Sequence, residues 1–154
     1  MRNPYEKIIQ LLELQGIKYN VLKHKPVYTS RQASEVRNES INSGAKSLLL
    51  KVDKDFVLAV LSGGKRLSSK KAKDFFGSKN LRFATLNEVK EIMGCEIGAC
   101  YPFGKIAKIR TIVDNALLEN SDISFNPGLH GKTIKLKLKD YLLIADAKTM
   151  DISE

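Results

Sequence analysis

The sequence predicts an α+β fold, a single domain over 1–154 with a mixed, mostly antiparallel sheet or partial barrel and several flanking helices. Three observations predict it. Residues 48–52 and 56–61 are apolar runs joined by Asp53, Lys54 and Asp55, the pattern of a hairpin. In TIKLKLK at 133–139, Ile134, Leu136 and Leu138 alternate with Lys135, Lys137 and Lys139, which puts one apolar and one charged face on a strand. Helix start and stop signals fall between such runs without the regular βαβα order of a parallel sheet.

Asn3 and Pro4 read as an N-cap and first-turn pair. Tyr5, Ile8, Ile9 and Leu12 recur at helical spacing, and Gly16 supplies the stop. Residues 17–23 read as a strand, which Pro26 keeps from continuing at a central position. Thr29 or Ser30 caps a short helix through Glu35 and Val36, and Gly44 introduces the hairpin. Ser68 or Ser69 opens a helix with Ala72, Phe75 and Phe76 on its apolar side, closed by Gly77. NLRFATL reads as a short strand. Thr85 and Glu88 have the spacing of a capping box for a helix at 87–93, ended by Gly94. Residues 106–113 and 122–125 read as strands, NPGLHGK as a turn-rich connection, and 139–144 as a final short helix.

With 154 residues, of which 43% are hydrophobic, the chain is long enough to bury a core without disulfides or metals. No apolar run is long enough to span a bilayer, and MRNPYEKIIQ lacks the apolar block of a signal peptide, so a cytoplasmic location with no membrane partner is expected. The net charge is +9. It reads equally as a solvated lysine-rich surface or as the footprint of a polyanionic partner.

The two cysteines, Cys95 and Cys100, have no second Cys or His pair beside them, so neither zinc nor any other metal is expected. No sequence neighbour marks Cys100 as a nucleophile. Three loop features stand out instead: His24 ahead of Pro26, Gly44–Ala45–Lys46 at a strand entrance, and GCEIGACYPFG at 94–104 with NPGLHG after it. Glycines remove side chains that would block the approach of a backbone to a ligand.

Taken in order, HKPVYTSRQASEV, GAKSLLLKV, FVLAVLSG, TLNEVKEIMGCEIGACYPFG and NPGLHGKTIKLKLKDYL resemble the YbaK-type, prolyl-tRNA synthetase-associated editing domain family over nearly the whole chain. The resemblance implies a free-standing, trans-acting hydrolase that clears mischarged tRNA. It would cut the ester between a small non-cognate amino acid and the terminal adenosine, on tRNA-Pro, with a prolyl-tRNA synthetase as a further partner. It assigns Lys46 as the key lysine. An ammonium of ordinary pKa can hold a phosphate or ribose oxygen, and our reading is that Lys46 anchors the terminal adenosine.

The same resemblance makes Gly94, Gly98, Ala99, Cys100, Tyr101, Pro102 and Gly104 a substrate-binding loop whose N–H groups around 98–101 face the ester carbonyl. It places Gly128 and His130 in a late turn, His130 as a binding residue ahead of a general base. It implies that the terminal ribose hydroxyl helps activate water, so no cofactor is needed. His24 and Tyr28 are further pocket candidates. Phe103 reads as packing beneath the loop. Lys65, Lys70, Lys71 and Lys73 are candidates for tRNA phosphates. Alanine, cysteine, serine and threonine all stay open as the amino acid removed. The alternative is a non-catalytic tRNA- or nucleotide-binding or regulatory module using the same pocket.

Overall fold

The computed structural model describes residues 2–154. Helix α1 (Pro4–Leu14) starts where Asn3 Oδ1 accepts the Glu6 N–H, and its buried face carries Ile8 and Leu12. Gly16 follows at φ +66°. Strand β1 (Tyr19–Lys23) begins two residues later than its sequence suggests. Helix α2 (Ser30–Arg37) is capped by Thr29, whose hydroxyl accepts the Gln32 N–H. Strands β2 (Gly44–Val52) and β3 (Asp55–Ser62) form the expected hairpin, with Val52 opposite Asp55.

Helix α3 (Ser69–Phe76) has Ser68 as its cap and Gly77 as its left-handed stop. The strand expected in NLRFATL contracts to β4 (Leu81–Phe83). Thr85 and Glu88 close both halves of the capping box on α4 (Leu86–Met93), and Gly94 ends it at φ +67°.

Residues 106–113 are not one strand. A 3-10 turn occupies Gly104–Ala107, Lys108 is left-handed at φ +60°, and β5 is Arg110–Asp114. The chain doubles back here because the Gly104 N–H donates to Thr111 Oγ1 at 2.8 Å and Gly104 O accepts the Ile109 N–H at 3.0 Å. A β-carbon at Gly104 would collide with Thr111 Oγ1 and the Ile109 carbonyl, so this glycine serves packing. After β6 (Asp122–Phe125) and β7 (Lys132–Lys137), Leu138 starts helix α5 (Leu138–Ala145) instead of extending the strand. A three-residue strand, β8 (Lys148–Met150), is too short for its sequence to show a period.

Among the described residues eight strands form one mixed sheet in the order β1-β7-β6-β2-β3-β5-β8, with β4 also on β2. Four of the seven pairings are antiparallel, and the sheet stays open. Its larger core holds Ile8, Leu12, Val60, Val89, Met93, Phe103, Phe125 and Tyr141. Phe103 meets Phe125 and Tyr141 edge-on at 5.5 and 5.3 Å. A smaller core holds Leu50, Ala59, Leu61, Ala72 and Ile112. Alternation along β2 sends Ala45 and Leu49 into the first and Leu50 and Val52 into the second. No helix among the described residues is long and apolar enough to cross a membrane.

Candidate active site

The sheet has a gap. β6 pairs with β2 only at Gly44 and Ala45, and β4 only at Leu50–Val52, so Lys46–Leu49 lack a neighbouring strand on that edge. The hydrogen bond from Gly63 N–H to Gly44 O, 2.7 Å, sets the phase of the β2–β3 ladder. On that phase Gly44, Lys46 and Leu48 bond to β3, while the backbone groups of Ser47 face the gap. Leu49 O is taken by the Ala84 N–H at 2.9 Å. A cavity of about 480 Å³ opens here, lined by residues of β2, by Tyr28, Ala33 and Arg37 from α2 and its approach, and by Phe83, Val89, Ile97, Gly98 and Cys100.

Lys46 lines this cavity, half-buried. Its Nζ donates to Gly63 O at 3.5 Å, and no carboxylate is paired with it among the described residues. Burial, with Arg66 nearby, holds its pKa below the ordinary lysine value. Ala45, Ser47 and Leu49 point to the opposite face, where Val89 and Cys100 pack. The gap is therefore cationic towards one face and largely apolar towards the other. Ser47 Oγ is buried and has no hydrogen-bond partner among the described residues.

The glycine loop is only partly a wall of this cavity. Gly98 and Cys100 line it. Gly98 has φ +87°, and a β-carbon there would stand 3.1 Å from Tyr28 O and 3.6 Å from His130 Cε1. Ala99 is buried, and its N–H is committed to Glu96 O at 3.0 Å, which removes one expected donor. Tyr101 and Pro102 lie beneath. Tyr101 Oη donates to Met93 O at 2.9 Å and Tyr141 Oη to Pro102 O at 2.6 Å. Gly94 is a helix stop near Pro4, and Gly128 packs its backbone against Pro4 and Tyr101. Phe103 is fully buried, as its sequence setting suggests.

The two histidines sit behind the wall. His130 Nδ1 bonds to Val27 O at 3.0 Å, which makes Nδ1 the protonated nitrogen of the neutral ring. Its Nε2 is buried, 3.4 Å from Glu96 Oε2, with no hydrogen bond among the described residues. The ring lies 4.5 Å from that of Tyr28, so His130 supports a cavity residue from outside the lining. His24 Nδ1 bonds to Lys25 O at 2.7 Å and Nε2 to Thr133 Oγ1 at 2.8 Å. The same hydroxyl accepts Arg37 Nε at 2.9 Å, so His24 reaches the cavity through two residues.

Arg37 was missed in sequence because it ends a helix of low hydropathy, where an arginine reads as solvated. Only the fold turns it inward. Of the four lysines read as tRNA contacts, Lys65 and Lys70 are exposed and Lys73 is partly so. Lys71 is tied to Asp151 at 3.0 Å and Ser153 O at 2.7 Å, an anchor for the C-terminal segment. Cys95 and Cys100 are buried and reduced, with sulfurs 3.9 Å apart, and contact with Cys100 and burial push the Cys95 thiol up. No cluster of metal-ligating side chains occurs among the described residues.

The family model described as an aminoacyl-tRNA editing domain matches residues 24–144. This chain belongs to the aminoacyl-tRNA editing domain family. The Escherichia coli protein named multifunctional Ser/Thr-tRNA deacylase ProXp-y is 32% identical over 152 residues, covering 96% of this chain and 91% of the relative. The Acetoanaerobium sticklandii prolyl-tRNA editing protein ProX is 26% identical over 92% of this chain and 90% of its own length. A crystal structure described as a candidate trans-editing enzyme for prolyl tRNA synthetase superposes with a TM-score of 0.88 at 25% identity, covering 100% of this chain and 99% of that one.

Proposed function

We propose that this member of the editing family is a trans-acting hydrolase that removes a small non-cognate amino acid from tRNA. The observation that carries the reading is the gap beside β2, where Lys46 faces one side and Ala45, Leu49, Val89 and Cys100 the other. An aminoacyl ester joins a small side chain to a phosphate-bearing ribose, and the two ends of the cavity match those two ends. About 480 Å³ is near the small end of ligand sites, which suits the acceptor terminus and a short side chain.

In this reading Lys46 holds a phosphate or ribose oxygen of the terminal adenosine and brings the ester carbonyl against the Gly98–Cys100 backbone. Water adds to the carbonyl carbon, N–H donors stabilise the oxyanion, and the ester C–O bond breaks to release amino acid and ribose hydroxyl. The N–H groups of Gly98 and Cys100 have no backbone acceptor among the described residues, which leaves them free for this role. His130 holds Tyr28 and Gly98 in place. The relatives' names direct the substrate search to serine, threonine and the tRNA-Pro system.

The test is a panel. Purified protein is incubated with tRNA-Pro carrying alanine, cysteine or proline, and with tRNAs carrying serine or threonine. Release of a small amino acid with the proline ester spared is expected. Tight tRNA binding with no release from any ester would replace the enzyme reading by a binding module.

A further inference from the structure

Arg37 and Lys46 stand on one face of the sheet. Gly44 and Lys46 are two residues apart on β2, so their substituents point the same way. A β-carbon at Gly44 would stand 3.3 Å from Arg37 Nη1, and the Lys46 stem leaves the strand about 7 Å further along. Both side chains line the cavity.

The Arg37 guanidinium is held but not neutralised. Its Nε donates to the buried Thr133 Oγ1 at 2.9 Å, which fixes the plane of the group. Its Nη groups have no hydrogen-bond acceptor among the described residues, and Arg37 is in none of the ion pairs. The charge acting on it from Glu39 is shared, because Glu39 is bound by Lys135 Nζ and Ser124 Oγ, each at 2.7 Å. Burial holds the Arg37 pKa down at about 10. A half-buried cation with an oriented, unfilled edge is costly unless an anion occupies it.

We infer that Arg37 is a phosphate-holding residue: its Nη edge and the Lys46 ammonium together seat the phosphodiester that joins the terminal nucleoside to the rest of the tRNA. The inference rests on reading the cavity as the editing site. A guanidinium fork matches two phosphate oxygens, and an ammonium adds a point charge from the side. The same two cations repel the α-ammonium of the amino acid. They therefore orient the ester, with its aminoacyl end towards Cys100 and Val89. Arg37 acts as a positioning residue.

Calorimetric titration of the full chain with adenosine 5′-monophosphate, adenosine and inorganic phosphate tests this without relying on turnover. Wild type should bind the nucleotide about tenfold or more tighter than adenosine. Arg37→Gln should lose that preference while binding adenosine unchanged. Arg37→Lys, which keeps the charge and packing but loses the fork, should retain part of it. The inference is overturned if wild type shows no preference for the nucleotide, if Arg37→Gln leaves nucleotide affinity unchanged, or if it weakens both ligands equally. Inorganic phosphate binding as tightly as the nucleotide would overturn the assignment to a nucleotide phosphate. A preference that is present and lost in Arg37→Gln, in a protein that deacylates nothing, would uphold the seat and sink the enzyme reading.

Discussion

The backbone of Gly98 lies against that of Tyr28, and a β-carbon at Gly98 would stand 3.1 Å from the Tyr28 carbonyl oxygen. The glycine is also at φ +87°, where side chains are strained. Gly98→Ala should therefore cost about 1–2 kcal/mol, a melting shift of roughly 2–8 °C. Because Gly98 lines the cavity, the same variant should lower kcat/KM about tenfold or more, as misplaced reacting groups do. Gly16 is also at positive φ, +66°, but has open space around it, so Gly16→Ala should lose stability without losing activity.

Lys46 is a half-buried cation with no carboxylate paired to it among the described residues, so it works against stability. Lys46→Met should melt at the same temperature as wild type or a few degrees higher, while deacylation is lost. The sign with pH follows from its depressed pKa. The unfolded chain holds that proton more tightly, so wild type gains stability as pH rises from the folded-state pKa of Lys46 towards 10.5. The advantage of Lys46→Met should shrink over that window. Melting curves of both proteins at neutral and alkaline pH check it.

Arg82 and the α4 capping box hold the Glu88 carboxylate down at about 2, against an ordinary value of 4.5. Stability from this group is complete above 4.5 and is lost as pH falls towards 2. Glu88→Gln keeps an acceptor for the cap and removes the charge. The melting difference between wild type and Glu88→Gln should close across that acid range. A difference as large near pH 2 as at neutral pH would contradict the assignment.

Asp114 fastens the C-terminal segment. Its carboxylate accepts Ile152 N at 2.9 Å, Ser153 N at 3.1 Å and Ser153 Oγ at 2.8 Å in a fully buried setting. Asp114→Ala leaves those donors unpaired and should cost about 3 kcal/mol or more, roughly 6–12 °C in melting temperature. Activity measured well below the melting point should survive, because Asp114 does not line the cavity.

The parts of the fold that were legible are those with local causes. Asn3 and Thr85 mark helix starts by their side-chain chemistry, and the pairs Thr29–Ser30 and Ser68–Ser69 mark two more to within one residue; Asn3, Thr29, Ser68 and Thr85 are the residues that cap. The β2–β3 hairpin follows from two apolar runs and a polar turn. What failed was non-local. The break of 106–113 into a turn and β5 depends on Gly104 meeting Thr111, a contact that periodicity cannot show. The gap beside β2 exists only because β6 and β4 stop short of each other on the same edge. Lys46, Gly98, Cys100 and Tyr28 come together there, whereas Tyr101, Pro102, Gly104 and Gly128 share the motif's sequence but support it from below or from the side. Arg37 carries no sequence signal at all, since its inward turn depends on Thr133, 96 residues away.

In this reading Lys46 holds the terminal adenosine so that the ester is cut across the gap, against the Gly98–Cys100 backbone. The most direct measurement is single-turnover deacylation, with saturating protein, of whichever mischarged tRNA the panel identifies, for wild type and for Lys46→Ala verified as folded by circular dichroism and melting. Wild type should release the amino acid and Lys46→Ala should lose a hundredfold or more of that rate, on the order expected when a positioning and charge-bearing contact is removed. Full activity in a folded Lys46→Ala protein would contradict this reading.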